Sequence, residues 1–272
     1  MASYKKEIIE LNGAPVEMLR GGPTTPTKGR PLLYLHSAAG EMVWMPFHDQ
    51  LAASYDVIAP AHPGFSASEG LDRIDNMEDL VIHYLDLLDH LGLAQVDVVG
   101  LSLGGWLAAE LATRNRERVR RLVLVDAAGL YLKGFDQFEF FQDPIANPGF
   151  PAEMRRRCFH DPNSEIARAF IPDTIPMDQI LLALRARQAT ARVAWNPYFY
   201  NPKLKVRLHR VKMPTLILWG ESDGLLPLEF ARAYHSLIPG SELKVMDKCG
   251  HLPPIERPAE FAAAVREFLE RA

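Results

Sequence analysis

Short apolar runs alternate with amphipathic segments over most of the chain. Six runs rich in Val, Ile and Leu each end just before a polar or glycine-containing segment, at 32–36, 56–60, 96–100, 121–126, 215–220 and 243–247. Apolar residues recur at helical spacing at 76–91, 102–114, 228–237 and 258–271. Short buried strands that alternate with helices are typical of βα units. The pattern therefore predicts the α/β class, with a mostly parallel central sheet flanked by helices.

Two regions depart from this alternation. Residues 4–20 contain two strand-like runs around an Asn-Gly pair, which predicts an antiparallel hairpin at an edge of the sheet. Residues 130–210 contain helical stretches and many prolines but no strand pattern. We predict an inserted helical cap there, over the carboxyl edge where open α/β sheets bind ligands. The predicted core domain then comprises 1–129 and 211–272.

The composition indicates an ordinary soluble chain. Of its 272 residues 48% are hydrophobic and 24% are charged, and the formal net charge is −4. Such a chain has no basic field for nucleic acid or an anionic membrane. No run reaches the roughly 18 consecutive apolar residues that a membrane span requires. We expect a small-molecule acyl substrate as the partner, with no nucleic acid and no membrane span, and the oligomeric state stays open.

The cysteines and the amino terminus bear on the cellular compartment. Cys158 and Cys249 have neither metal-ligand spacing nor the spacing of a disulfide framework, which favours a reducing compartment. The first residues, MASYKKEIIELNG, contain lysines without the apolar stretch that follows them in a signal peptide. These features predict a cytoplasmic protein.

A serine flanked by glycines follows one of the predicted strands and opens a predicted helix. The stretch 100–104, GLSLG, matches the pattern G-x-S-x-G with Ser102 at its centre. That context suits a nucleophile on a strained strand-to-helix turn, where neighbours without a Cβ leave the hydroxyl accessible. A serine after a glycine turn is also a common helix N-cap. These five residues alone leave both interpretations open.

Two more residues have the types and positions needed to activate Ser102. A serine hydroxyl is a weak nucleophile until a base takes its proton and a third group orients that base. Asp223 and His251 each follow a predicted strand, at the same sheet edge as Ser102. Three such residues favour a Ser-His-Asp triad over a helix cap. Asp126 is an alternative acid, and otherwise a carboxylate that hydrogen-bonds the loop after it.

Further motifs accompany these residues: LHSAAG at 35–40, HPGFSAS at 62–68, and the later segments PTLILWGESDGLLP and GHLPPIERP. With them, and with the chain order Ser, Asp, His, the sequence resembles the α/β-hydrolase fold superfamily over nearly its whole length, in its serine-triad, carboxylesterase-like form with a helical cap. The resemblance implies Ser102 as nucleophile, His251 as general base and then acid, and Asp223 as the orienting acid. It also implies an oxyanion hole formed by the backbone N–H groups of Leu103 and Ala38.

One position departs from the family's pattern. The glycine that usually follows the histidine of the oxyanion loop is Ser37 here. If that position requires positive φ, serine strains the loop and weakens the assignment of Ala38. A second interpretation is that Ser37 donates a side-chain hydrogen bond near the oxyanion.

The other polar candidates have structural interpretations. We expect His36 and His62 to hold loops, Glu256 to fix the final loop or the start of the last helix, and Cys249 to be a packing residue. The run 155–157, three arginines, is expected to be a solvated face of a cap helix. The chain has no H-E-x-x-H, paired C-x-x-C, G-x-G-x-x-G or Walker pattern, so no metal and no cofactor is predicted.

A serine triad with an oxyanion hole carries out acyl transfer through an acyl-enzyme. The first hypothesis is therefore a hydrolase that cleaves small carboxylic esters. Serine at the elbow argues against halide displacement and epoxide opening, for which related enzymes use a carboxylate. The predicted substrate pocket is formed by the apolar face of the cap together with Ser37, Met42, Trp44, Trp106, Leu225 and Leu252.

Two other functions stay open. Hydrolases that cleave carbon–carbon bonds in ring-cleavage dienoates share the triad and the cap, although their usual Ser-Gly-Pro-Gly type of oxyanion loop differs from HSAAGEMVW. A ligand-binding protein on the same scaffold is the third hypothesis, because a fold does not fix a function. Lactone, amide and perhydrolase chemistry would need no different triad.

Overall fold

The structure, a computed structural model, describes residues 4–23, 30–135, 139–142 and 147–271. Parts of both predicted domains, namely 1–3, 24–29, 136–138, 143–146 and residue 272, lie outside the described residues. The division into a core and a cap stays a prediction, and the elements that follow are those of the described residues.

A single eight-stranded sheet crosses the described part of the chain, as the α/β pattern predicts. Its spatial order is β1-β2-β4-β3-β5-β6-β7-β8. The strands β3 to β8 run parallel, and β1 and β2 are antiparallel. The strand bounds are β1 Tyr4–Leu11, β2 Ala14–Gly21, β3 Arg30–Leu35, β4 Tyr55–Pro60, β5 Val96–Leu101, β6 Val119–Val125, β7 Thr215–Gly220 and β8 Glu242–Met246.

The amino-terminal hairpin forms as predicted. Asn12 and Gly13 have φ of 53° and 78°, the left-handed values that a tight turn between antiparallel strands requires. They pair Leu11 with Ala14 and bring β1 to the edge of the sheet. β2 in turn pairs antiparallel with β4 and joins the hairpin to the parallel strands.

Helices cover both faces of the sheet, because successive side chains of a buried parallel strand point to opposite sides. The helix bounds are α1 Pro46–Ala52, α2 Met77–His90, α3 Leu103–Arg114, α4 Phe150–Cys158, α5 Glu165–Phe170, α6 Met177–Ala194, α7 Leu204–Arg207, α8 Leu228–Leu237, α9 Pro253–Glu256 and α10 Pro258–Glu270. In β5, Val98 packs in the cluster that contains α2, α3 and α8, whereas Val99 packs in the cluster that contains α1 and α10.

Four of these helices, α4 to α7, lie between β6 and β7, in the stretch where the sequence predicts helices without strands. The helix α4 is joined to the loop after β7: Gly224 N–H donates to Arg157 O at 2.9 Å, and Arg157 donates back to Gly224 O at 3.1 Å. His251 N–H donates to Cys158 O at 2.8 Å. The stretch between β6 and β7, called the inserted segment below, therefore meets the carboxyl edge of the sheet, where the candidate site lies.

Candidate active site

Ser102 stands at a sharp turn between β5 and α3. Its φ of 53° and ψ of −110° are unusual for a residue with a Cβ, and such strain concentrates at functional sites. The glycines around it are required because a side chain at these positions would clash with neighbouring backbone atoms. A Cβ on Gly100 would lie 2.2 Å from Gly104 O, and one on Gly104 would lie 2.1 Å from Leu35 O. The glycines of the motif thus allow α3 to pack directly against the sheet.

The structure brings Ser102, His251 and Asp223 together. Ser102 Oγ lies 2.9 Å from His251 Nε2, and His251 Nδ1 lies 2.7 Å from Asp223 Oδ2. All three side chains are buried. With Nδ1–H donated to Asp223, Nε2 has a free lone pair that accepts the Ser102 hydroxyl, which is the arrangement that activates a serine.

The Ser102 hydroxyl makes no capping hydrogen bond, although the residue occupies the N-cap position of α3. Ser102 is therefore the N-cap residue by position, but the side-chain cap that such a serine usually supplies is not formed. The hydroxyl instead contacts His251 Nε2.

Asp223 is held by the turn that follows β7. Its Oδ1 accepts the N–H groups of Leu225 at 2.8 Å and Leu226 at 2.9 Å. A carboxylate that accepts several N–H groups is stabilised in its charged form. The turn thus orients Oδ2 towards His251 and keeps it a hydrogen-bond acceptor.

Asp126, the alternative acid, lies behind this pair and does not hydrogen-bond His251. Its Oδ1 accepts Gly220 N–H at 3.0 Å, and its Oδ2 has no partner in the described part of the chain. The expected hydrogen bond to the loop after Asp126 is therefore wrong, because the side chain reaches across to the end of β7. Burial, and next the charge of Asp223, raise the pKa of Asp126 well above its ordinary value.

The two backbone N–H groups proposed for the oxyanion hole belong to residues close to the serine in sequence or in the cavity wall. Leu103 is the first residue of α3, and Ala38 lies in the loop after β3 and lines the cavity in front of Ser102. The hydrogen bonds of the described residues include none donated by either N–H group. Both N–H groups are thus available to a developing oxyanion at the positive end of a helix.

Ser37 does not strain this loop, since it is not among the residues with positive φ. Its hydroxyl donates to Glu41, and its N–H donates to the same carboxylate at 3.0 Å. The interpretation of Ser37 as a side-chain donor to the oxyanion is wrong, because its one hydroxyl proton is already taken by Glu41. Glu41 itself was not recognised from the sequence.

His36 and His62 hold the loop from behind, as predicted. His36 Nε2 accepts His62 N–H at 3.0 Å, so Nδ1 carries the proton donated to Ser37 O at 2.7 Å. His62 Nε2 donates to His36 O at 3.1 Å, and its Nδ1 accepts the Tyr84 hydroxyl at 2.5 Å. Burial lowers the pKa of both imidazoles. The network is neutral and every ring nitrogen has a partner.

A cavity of about 1010 Å³ opens in front of Ser102 and His251. Its wall consists mostly of apolar side chains from the inserted helices and the loops around them. Polar groups of the wall include Ser37, Glu41 and Arg187. The predicted pocket residues Ser37, Leu225 and Leu252 do line it. It is a concave, mostly apolar site with a few polar groups, the usual form of a small-molecule pocket.

The other three predicted pocket residues lie outside the cavity wall. Trp44 stacks on Tyr4 with ring centroids 4.8 Å apart and donates to Asp49 at 2.9 Å. Met42 is partly buried against the hydrophobic core. Trp106 points along α3, where its Nε1–H donates to Glu110 at 3.2 Å. Nearness to a motif in sequence did not reveal which way these side chains point.

The remaining assignments are mostly structural. Glu256 accepts the N–H groups of His160 at 3.1 Å and Gly250 at 3.3 Å and so fixes the final loop, as predicted. Cys249 is buried, and burial raises the pKa of its thiol. The arginine run is not uniformly solvated: Arg155 is buried and donates to Ile171 O at 2.7 Å.

Comparisons with known proteins show the family to which the chain belongs. The model of the alpha/beta hydrolase family matches residues 32–264, and the chain belongs to that family. The 2-hydroxymuconate semialdehyde hydrolase of Pseudomonas sp. (strain CF600) is 32% identical, over 90% of this chain and 88% of the relative. The 2-hydroxy-6-oxo-2,4-heptadienoate hydrolase of Pseudomonas putida is 30% identical, over 89% of each chain.

Solved structures show the same fold. The 2-hydroxy-6-oxo-6-phenylhexa-2,4-dienoate hydrolase of Rhodococcus sp. strain RHA1 superposes with a TM-score of 0.80 at 20% identity, over 100% of both chains. A serine hydrolase involved in carbazole degradation has a TM-score of 0.78 at 25% identity, over 98% of this chain and 99% of the other. The α/β-hydrolase fold and the hydrolase class are thus established. Across the part of the chain that the structure describes, no helix combines the length and apolar character needed to cross a membrane.

Proposed function

We propose that the protein hydrolyses a carbon–carbon bond in a dienoate produced by aromatic-ring cleavage. The observation that carries the proposal is the similarity to 2-hydroxymuconate semialdehyde hydrolase, which is 32% identical over 90% of this chain. Several other relatives are named for the same substrate class. This function was the alternative in the sequence analysis, and it replaces ester hydrolysis as the first hypothesis.

The first chemical step is the same for either bond. Ser102 attacks the substrate carbonyl carbon while His251 takes the hydroxyl proton at Nε2, and Asp223 keeps the imidazole in the required tautomer. The N–H groups of Leu103 and Ala38 receive the oxyanion, and each such donor contributes about 3 to 4 kcal/mol to lowering the barrier.

A carbon–carbon bond breaks only if the departing carbon can hold the electron pair. In the keto form of a 2-hydroxy-6-oxo-2,4-dienoate, the hydroxyl proton has moved to C5. When the C5–C6 bond then breaks, its electrons pass through C3 and C4 to the 2-oxo group as a dienolate. A proton from the His251 imidazolium neutralises the product, and water releases the acyl group from Ser102 with His251 again as base.

The charges of the cavity wall support a particular orientation of such a substrate. Glu41 lies at the oxyanion loop, Arg187 lies on α6, and a further charged residue of the wall, Asp173, is paired with Arg155. A substrate carboxylate is repelled by the first and attracted by the second. We therefore orient the carboxylate end of the dienoate towards α6 and the 6-oxo carbon towards Ser102, with the apolar wall around the 6-substituent.

The test compares two substrates that present the same acyl group. The purified protein is given a 6-methyl or 6-phenyl ring-cleavage dienoate and, in parallel, the nitrophenyl ester of acetate or benzoate, and kcat/KM is measured for each. We expect the dienoate to have the higher kcat/KM, with every activity lost in Ser102→Ala. Faster turnover of the esters, with the dienoate left intact, would restore ester hydrolysis as the function.

A further inference from the structure

Two carboxyl groups lie side by side behind His251. Asp126 follows β6 and Asp223 follows β7, the neighbouring strand. One oxygen of each carboxyl and one ring nitrogen of His251 all lie within 4.8 Å of one another. Asp126 is 0% exposed and Asp223 is 5% exposed. A triad requires one acid, so the second carboxyl needs an explanation of its own.

The two carboxyl groups differ in the donors that they receive. Asp223 accepts two consecutive backbone N–H groups, beginning at Leu225, and also the Nδ1–H of His251. Asp126 accepts only the N–H of Gly220, no N–H or O–H of the described residues reaches its Oδ2, and its further side-chain contact is with the Asp223 carboxyl. Each N–H that a carboxylate accepts stabilises its charge. A negative charge is therefore more stable on Asp223 than on Asp126.

The surroundings do not compensate a second negative charge. The titratable groups that face Asp126 are Asp223, Glu256, Cys249 and His251. Two are acids, burial keeps the thiol neutral, and the imidazole is the proposed base for Ser102. Two adjacent buried carboxylates without a cation repel each other, so one of them keeps its proton. The free Oδ2 of Asp126 is the oxygen available to carry it.

We propose that Asp126 is a neutral second acid that carries its proton on Oδ2 beside Asp223, so that the pair presents a single negative charge to His251. The inference rests on the proposed roles of Ser102 and His251. Asp126 acts through Asp223 and is a positioning residue. If Asp223 cannot hold the charge, the proton of Asp126 passes to solvent and Asp126 becomes the carboxylate of the pair.

A double-mutant cycle tests this coupling. The measured quantity is the rate at which a fluorophosphonate labels Ser102, and this rate does not depend on which bond the enzyme cleaves. In Asp126→Asn the amide keeps a donor and an acceptor, and we expect about a threefold loss. Asp223→Asn should lose about 100-fold, because Asp126 ionises and partly replaces it, and the double variant should lose about 10⁴-fold, as for a triad without its acid. The matched control is Asp247→Asn, an exposed aspartate after β8, which should label at the wild-type rate.

Two results would overturn the proposal: a loss in Asp126→Asn as large as in Asp223→Asn, or equal losses in Asp223→Asn and the double variant. Infrared spectroscopy tests it without any reaction. At neutral pH the wild-type protein should have a carboxylic-acid C=O band that Asp247→Asn keeps and Asp126→Asn lacks. If Asp126→Asn does not fold, the same band must disappear in Asp223→Asn, and its persistence there refutes the proposal. Wild-type protein that is not labelled at Ser102 would instead contradict the proposed nucleophile, while the infrared result would stand.

Discussion

Glu41 holds Ser37 at two points, accepting both its backbone N–H and its hydroxyl proton. Both residues are buried and both line the cavity next to Ala38, whose N–H is proposed for the oxyanion hole. Ser37 Oγ in turn accepts Ala39 N–H at 3.1 Å. The loop is thus fixed on both sides of Ala38 by one carboxylate and one hydroxyl, where the family usually has glycine.

The two contacts of Glu41 with Ser37 form a clamp on the loop. Removing this clamp should lower the rate of the chemical step more than it weakens substrate binding. We expect Glu41→Ala to lower kcat by about tenfold with little change in KM, because the Ala38 N–H is no longer held in place for the oxyanion. Glu41→Gln is the matched control, since its amide oxygen still accepts one Ser37 donor, and it should lose less. Steady-state kinetics on the preferred substrate measure both, and equal losses in the two variants would contradict the clamp.

The proposed nucleophile and base should act as a unit. We expect Ser102→Ala and His251→Ala each to lower kcat by about 10⁶-fold, and the double variant to lose little more, because each residue is ineffective without the other. Unfolding midpoints close to that of the wild type would show that the loss is chemical. A single variant with substantial remaining turnover would mean that another group attacks the substrate.

The sequence predicted the fold and the geometry around Ser102 well because both depend on local patterns. Alternating apolar runs define the strands, and the glycines on either side of Ser102 are dictated by contacts of about 2 Å that no side chain can occupy. The order of Asp223 and His251 after their strands then brings them to the same edge. Each of these inferences uses chain position alone.

Side-chain direction and long-range pairing were harder to predict. Trp106 was expected in the pocket, but its indole lies along α3 against Glu110, four residues away. Glu41 pairs with Ser37, four residues away, only because of the conformation of their loop, and Asp126 lies beside Asp223 because of tertiary packing. In the sequence, the only sign of these two pairings was an acidic residue close to a motif. A single sequence does not show whether such a residue is buried.

Acid should destabilise the protein through its buried neutral histidines. Burial lowers the pKa of His48 to about 3 and that of His83 to about 4, and Nε2 of each is buried and has no hydrogen-bond partner among the residues that the structure describes. Below the ordinary histidine pKa of about 6.5, these two imidazoles bind protons in the unfolded chain but stay neutral in the folded chain. The free energy of unfolding is therefore highest above about pH 6.5 and falls as the pH is lowered towards 3 to 4, by about 1.4 kcal/mol per pH unit for each such histidine.

Urea unfolding at several pH values between about 7 and 4 measures this slope. His48→Gln keeps an acceptor for the Met45 N–H, which His48 Nδ1 accepts at 2.9 Å, and removes the titrating ring. We expect its slope to be shallower by about one proton, with His209→Gln, at an exposed position, as the control. A slope in His48→Gln equal to that of the wild type would refute the explanation.

A buried carboxylate behind the serine links α3 to the end of the inserted segment. Glu110 is fully buried; it accepts Trp106 Nε1–H at 3.2 Å and Asn201 Nδ2–H at 2.6 Å at one oxygen, and Arg114 at 2.7 Å at the other. Glu110→Ala removes all three acceptor contacts and leaves a largely buried guanidinium without this partner. We expect the free energy of unfolding to fall by about 3 kcal/mol. The exposed Glu117→Ala, in the turn after α3, should change it by less than about 0.5 kcal/mol.

Because Asn201 lies beyond α6, Glu110→Ala should also loosen the inserted segment. Hydrogen exchange of the α6 and α7 amides, compared between Glu110→Ala and Glu117→Ala, measures that loss. Unchanged exchange in α6 and α7 would mean that Glu110 stabilises only its own helix.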